Sequence, residues 1–209
     1  MKHALEASLF ADIGTAKEQL RRGTSVSRIA SVFAALISIF VLTIPAPAQP
    51  SPAQKADAQG IFLGYQGEWQ HATYELLALA EATPADRFAW RPAAGIRSTS
   101  EVYMHIAITN FWLLSTIGHP MPSDLKQDAE KTVTSKPQVI AWLKRSLEAV
   151  RTAHLKESPE HLADEVRVAG RDTTVEAIYL RMLVHSNEHL GQLIAYARTT
   201  GVVPPWSAK

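Results

Sequence analysis

His185 and His189 stand four residues apart in a stretch, Thr173 to Thr200, whose pattern is that of one long helix. The spacing sets two imidazoles one turn apart on the same face, which is how a rigid helix offers two nitrogen ligands to one metal ion. It also arises readily by chance, and two partly buried histidines, each satisfied by a hydrogen bond, explain the pair equally well. A third ligand has to come from elsewhere in the chain. Cysteine is absent, so only histidine, aspartate and glutamate can serve. His105 is the candidate, because it sits among Val102, Ile106 and Ile108 in a segment too apolar to be a free surface. Three neutral imidazoles with solvent completing the shell would make an open site. Without an obvious carboxylate they favour Zn or Ni over the two-histidine, one-carboxylate iron pattern.

Helical geometry ranks the neighbours of the pair. At 100° per residue, Gln192 lies about 40° from the midline of His185 and His189, whereas Glu188 lies about 80° away. Gln192 is therefore expected to contact a ligand or substrate, and Glu188 to face water on the flank. Tyr196 falls on the midline and lines either the site or the core, the core being the commoner fate of an aromatic at that spacing. Glu101, one turn before His105, is accounted for by a capping role, and Trp112 by core packing. His71 falls opposite the apolar face of its helix, and His119, His154 and His161 at helix ends or in loops, with no role assigned. The run from His185 to His189 also spells the inverted zinc-protease motif, but such proteases take a further ligand well downstream, and the chain ends about 20 residues later.

The elements that must position these residues are all helical. From Ala58 to Ala82, Phe62, Tyr65, Trp69, Leu76 and Ala80 share one face, and Pro84 ends the helix. Ser98-Thr99-Ser100-Glu101 is a capping box that opens a second helix reaching to Gly118. Ser135-Lys136-Pro137-Gln138 repeats the device for a third, which fades near Lys156. Thr173-Thr174-Val175-Glu176 opens the fourth, stopped by Gly201 and Pro204-Pro205. Only Glu165 to Val168 alternates with period two, and it is too short to found a sheet. The expected fold is all-α, a four-helix bundle, with the connection from Glu157 to Asp172 long enough to cross over or cover one end.

The first 48 residues read as an address. Arg21, Arg22 and Arg28 precede an apolar run from Ile29 to Ile44 and then Pro45-Ala46-Pro47-Ala48, the three parts of a secretory signal peptide cleaved after Ala48. The run has roughly 16 residues where a spanning helix needs about 20, so no stable membrane span is expected after cleavage. The leader is long, and a start downstream of Met1, at Val26, would bring it to ordinary length. Residues 49–57 form a flexible leader and 58–209 the helical domain, located in the periplasm or secreted. With 21 Lys and Arg against 20 Asp and Glu in 209 residues, nothing draws the chain to nucleic acid, and one globular domain is expected.

The order of short motifs resembles the DinB-like superfamily of metal-binding four-helix proteins. The likeness covers nearly all of the mature chain. It rests on Arg91-Pro92, Ser98 to Val102 and Met104 to Ala107, and on His185 to Leu193 followed by Gly201-Val202-Val203-Pro204-Pro205. The resemblance implies that His105, His185 and His189 are the metal ligands, and that the fold often pairs into homodimers. Some relatives join a low-molecular-weight thiol to an electrophile at the metal. An exported protein would meet little reduced thiol, so hydrolysis of a small molecule suits this chain better. Three readings follow: a metal-dependent hydrolase or transferase, a non-catalytic metal- or ligand-binding bundle, and an interaction module with a vestigial site. No general base stands out, since Gln192 does not titrate and Tyr196 and Glu188 qualify only by position.

Overall fold

The computed structural model describes residues 62–207. The expected signal peptide (1–48), the expected leader (49–57) and the expected first turn of the first helix lie outside the described residues. Four long helices make the fold: α1 (Gly64–Ala82), α2 (Thr99–Thr116), α4 (Lys136–Lys156) and α6 (Val175–Thr199). Two single-turn helices, α3 (Ala129–Thr132) and α5 (Pro159–Leu162), sit in the connections. The main packing pairs are α1–α4, α4–α2, α2–α6 and α6–α1. They close a ring, so α1 lies across a diagonal from α2.

Each helix follows from its sequence. In α1, Trp69, Ala72, Leu76, Leu79 and Ala80 are buried at helical spacing, and the Trp69 indole donates to the Leu147 carbonyl at 3.2 Å, tying α1 to α4. Phe62 departs from the expected apolar face. It precedes the helix with φ 69° and is 87% exposed. α2 is buried at every position from Thr99 to Leu114, because α4, α6, α3 and a β-strand all pack on it. Its capping box is complete: Ser98 Oγ accepts from the Glu101 amide, and the Glu101 carboxylate accepts from the Ser98 amide at 2.7 Å.

The other two boxes differ from expectation. Ser135 is the N-cap of α4, but its hydroxyl donates to the Gln138 side chain at 2.7 Å and caps no backbone amide. At α6 the cap is Thr174, not Thr173, accepting from the Ala177 amide at 3.2 Å. α2 and α6 end as their glycines require. Gly118 and Gly201 take φ of 98° and 80°, and after each the next amide reaches back into the helix, His119 to Leu114 at 3.1 Å and Val202 to Ala197 at 2.8 Å.

The connection from α5 to α6 holds a β-hairpin, whose first strand is the short alternating run Glu165 to Val168. β1 (Glu165–Val168) pairs antiparallel with β2 (Arg171–Thr174), Val168 opposite Arg171. A two-stranded ribbon has little stability of its own. This one is held by the bundle: Val168 is buried, β1 packs on α2 and β2 on α6, and the Val175 amide closes the base onto Asp164 at 3.1 Å. Ala169 and Gly170 form the turn with φ of 51° and 76°, the left-handed pair of a type I′ turn. Alanine is poorly suited there. Ala169→Asn is expected to stabilise the domain by about 1 kcal/mol, read as a higher thermal midpoint; an unchanged or lower midpoint would contradict the strain at this turn.

Candidate metal centre

His105 comes from the middle of α2, and His185 and His189 from successive turns of α6, so the packing of α2 on α6 brings the three together. His105 and His185 are 4% and 2% exposed, while His189 is half-buried. His185 Nε2 lies 3.2 Å from His105 Nε2 and 3.1 Å from His189 Nε2, with one nitrogen from each ring falling within 4.8 Å of the others. For a tetrahedral ion with metal–nitrogen bonds of about 2.05 Å, ligand nitrogens stand about 3.3 Å apart. The spacing fits such an ion.

The partners of the far ring nitrogens say which protons are present. His105 Nδ1 meets the Glu130 carboxylate at 3.2 Å. A carboxylate only accepts, so this nitrogen carries the proton and Nε2 is bare. For His189 the assignment runs through three residues. The Arg97 carbonyl can only accept, so the Tyr196 hydroxyl donates to it at 3.2 Å. The same oxygen takes the Gln192 amide N–H at 2.8 Å, which leaves the Gln192 carbonyl facing His189 Nδ1 at 2.8 Å. His189 therefore also holds its proton on Nδ1 and presents a bare Nε2. His185 has no such guide, for its Nδ1 is buried and has no partner among the described residues. One proton on His185 Nε2 cannot serve both facing lone pairs. A cation at the point where the three meet can.

Electrostatics favour the same species. Burial, then the neighbouring His189 and His105 and the guanidiniums of Arg181 and Arg97, push the His185 imidazole down to about 2. Burial also lowers His189, to about 4, against the opposing bond to Gln192. Both rings are thus held neutral, the form that ligates. Burial would raise the Glu130 carboxyl, but hydrogen bonds from His105 and Arg97 outweigh it and hold the group down at about 2; Arg97 Nε donates to it at 2.9 Å.

Gln192 occupies the place the helical geometry gives it, and Tyr196 anchors it from behind. Glu188 is exposed and paired with Arg181. Glu101 stays with its cap, taking Arg91 at 3.2 Å and Lys131 at 3.1 Å, and burial is outweighed by those bonds so that its carboxyl sits below the usual range. Trp112 is buried in the core. His71 is exposed beside Glu75, His119 and His161 flank the Glu157 carboxylate, and His154 stacks on Tyr65. Glu130 and Arg97 are the two residues of the centre that sequence reasoning did not single out.

A DinB-like protein from Bacillus cereus superposes with a TM-score of 0.59 at 19% identity, over 69% of this chain and 95% of that one. A DinB-like protein from Bacillus subtilis gives 0.56, also at 19% identity, over 69% and 99%. At such identity the likeness carries the fold alone. No protein of curated function matches the chain in sequence. The DinB superfamily model matches residues 68–193, more than half of the chain and the stretch that holds all three histidines, and by that match the chain belongs to the DinB superfamily.

Proposed function

We propose that the protein is an exported member of the superfamily that binds a divalent metal ion, zinc or nickel, through His105, His185 and His189, and uses it in hydrolysis or group transfer on a small molecule. The convergence of three Nε2 atoms, two of them stripped of their protons by Glu130 and Gln192, carries this reading. An ion held there supplies Lewis acidity, acidifying water or a thiol and polarising a carbonyl. The chain's residues hold it with neutral ligands only, so none of its charge is cancelled in the first layer. His189 and Gln192, both half-buried, stand where a substrate would approach. Export rests on the basic, apolar and Ala-Pro-Ala pattern of the first 48 residues, and hydrolysis is preferred because it needs only water. Among the described residues no helix is long and apolar enough to cross a membrane.

A second reading, a non-catalytic metal- or ligand-binding bundle, is favoured by one observation. The polar side chains around the centre are already engaged: Glu130 with His105 and Arg97, Gln192 with His189 and Tyr196, and Glu188 with Arg181. None is left over as a general base.

The test is metal analysis of untagged protein by plasma mass spectrometry beside the His185→Ala, His189→Ala double variant, then a screen of small esters, amides and electrophiles with the metal found. Near-stoichiometric metal lost in the variant supports the site, and turnover lost with it supports the enzyme. Metal without turnover moves the case to the second reading, and no metal even after reconstitution sinks the metal site in both. Glu130→Ala is expected to weaken zinc affinity about 10- to 100-fold by freeing the His105 tautomer. Glu130→Gln, whose carbonyl still accepts from Nδ1, should recover part of it in the same competition titration; equal affinity in all three proteins would remove Glu130 from the centre.

A further inference from the structure

On the opposite side of α6 from the histidines, a groove of about 410 Å³ opens between α1, α4 and the first turns of α6. At 100° per residue, Glu176, Leu180 and Leu183, which line it, centre about 170° from the midline of His185 and His189. The two sites therefore share a helix and no side chain. We propose that this groove binds a primary amine carried on an aromatic or short aliphatic body.

Three features lead to that class. The wall is apolar and aromatic: Tyr65 and His154 stack with centroids 4.1 Å apart, Tyr179 stands edge-on to His154 at 4.9 Å, and Leu180 and Leu183 complete it. Such a lining takes a ring or short chain. The charged residues of the lining are both acidic, Glu68 and Glu176, with no Lys or Arg among them. Glu68 spends one oxygen on the Phe62 amide at 2.9 Å, and Glu176 makes no ion pair with another described residue. His154 Nδ1 meets the Gln66 side-chain amide at 2.6 Å. Last, Tyr65, which lines the groove, has a buried hydroxyl with no partner among the described residues. An ammonium N–H is a donor that this unpartnered phenol oxygen can accept, in a groove whose carboxylates carry the opposite charge.

The charge and the body are separable by a matched set of probes. Phenethylamine, 2-phenylethanol and phenylacetate share a ring and differ only in the end group. Titrated into the full chain at pH 7 and followed by amide NMR, phenethylamine is expected to move the signals of Thr174 and Ala177. It should bind roughly five- to tenfold tighter than the alcohol, the worth of two solvent-screened carboxylates, with phenylacetate weakest. Glu68→Gln with Glu176→Gln should bring the amine down to the alcohol. His185→Ala should leave it untouched, so loss of the metal centre and loss of this site are told apart. Equal binding of all three probes, preference for the acid, or no shift at millimolar concentration would overturn the proposal. So would a groove covered by a second copy, seen as a Leu180→Asp variant that sediments as monomer from a dimeric parent.

Discussion

Replacing His185 by leucine is expected to abolish metal retention and, in the same protein, to raise the stability of the metal-free domain. The first effect follows from coordination: His185 Nε2 stands between the other two nitrogens at 3.2 and 3.1 Å, and removing it leaves two ligands on different helices. Affinity should fall at least about 1,000-fold, since the site loses both a bond and its geometry. The second effect follows from what the ring costs without an ion. His185 is 2% exposed and its Nδ1 has no partner among the described residues, and a buried polar atom left so costs about 1–3 kcal/mol. Leucine fills a similar volume and carries no such atom. Urea unfolding of chelated protein measures the gain, and metal analysis the loss. A leucine variant less stable than chelated wild type would show that the histidine is satisfied within the fold and that the metal reading of its unpaired nitrogen is wrong.

Acid should take about 4 kcal/mol from the metal-free domain between pH 7 and pH 4.5. In an unfolded chain both imidazoles titrate near 6.5, whereas in the fold burial holds His189 down at about 4 and His185 at about 2. Between those values the unfolded state binds the extra protons, so stability rises with pH through the window and is lost as pH falls below about 6.5. Each group contributes at most about 1.4 kcal/mol per pH unit, and the half-buried His189 contributes less than His185. Glu130 acts in a separate window: its depressed carboxyl adds stability above the ordinary carboxylate range, lost only as pH falls toward about 2. Bound metal adds its own sensitivity, with release expected only as pH falls toward about 4, where His189 begins to take a proton in the fold. Unfolding free energies across a pH series, with and without chelator, separate these contributions. A flat profile for chelated protein from pH 7 to 4.5 would mean the two rings are not held neutral by the fold, and metal lost already near pH 6 would contradict their depressed affinity for protons.

How much of this could be read in advance depended on whether the signal was local. The four helices, the box at Ser98 and the place of Gln192 beside the histidine pair all follow from spacings within one turn or one helix. The pairing of α2 with α6 does not, and His105 was a candidate for its apolar surroundings alone until the resemblance was added. Glu130 was invisible for a stronger reason. It is 25 residues from His105, in a connection without periodicity, and only the folding of α3 against α2 brings it to the ring. Arg97 is similar, since its side chain finds Glu130 across 33 residues while its carbonyl anchors a tyrosine 99 residues away. The hairpin was missed because its stability lies in the bundle beneath it and its turn uses an alanine where sequence rules look for asparagine or glycine. At the caps, the boxes on α4 and α6 fail for different reasons: at α4 the Ser135 hydroxyl has a competing partner, and at α6 the cap sits one residue later than the motif.

The complete burial of α2 has a further consequence in the time domain. A helix with no exposed position from Thr99 to Leu114 has no cheap route to local opening, so its amides should exchange with solvent only through global unfolding. His105 thus hangs from the slowest-exchanging part of the molecule. Glu130, which fixes its proton, hangs from a helix of four residues, where opening is fast and frequent. The ligand and the group that sets its tautomer therefore keep different clocks, and the carboxylate can leave and return many times within one lifetime of the folded core.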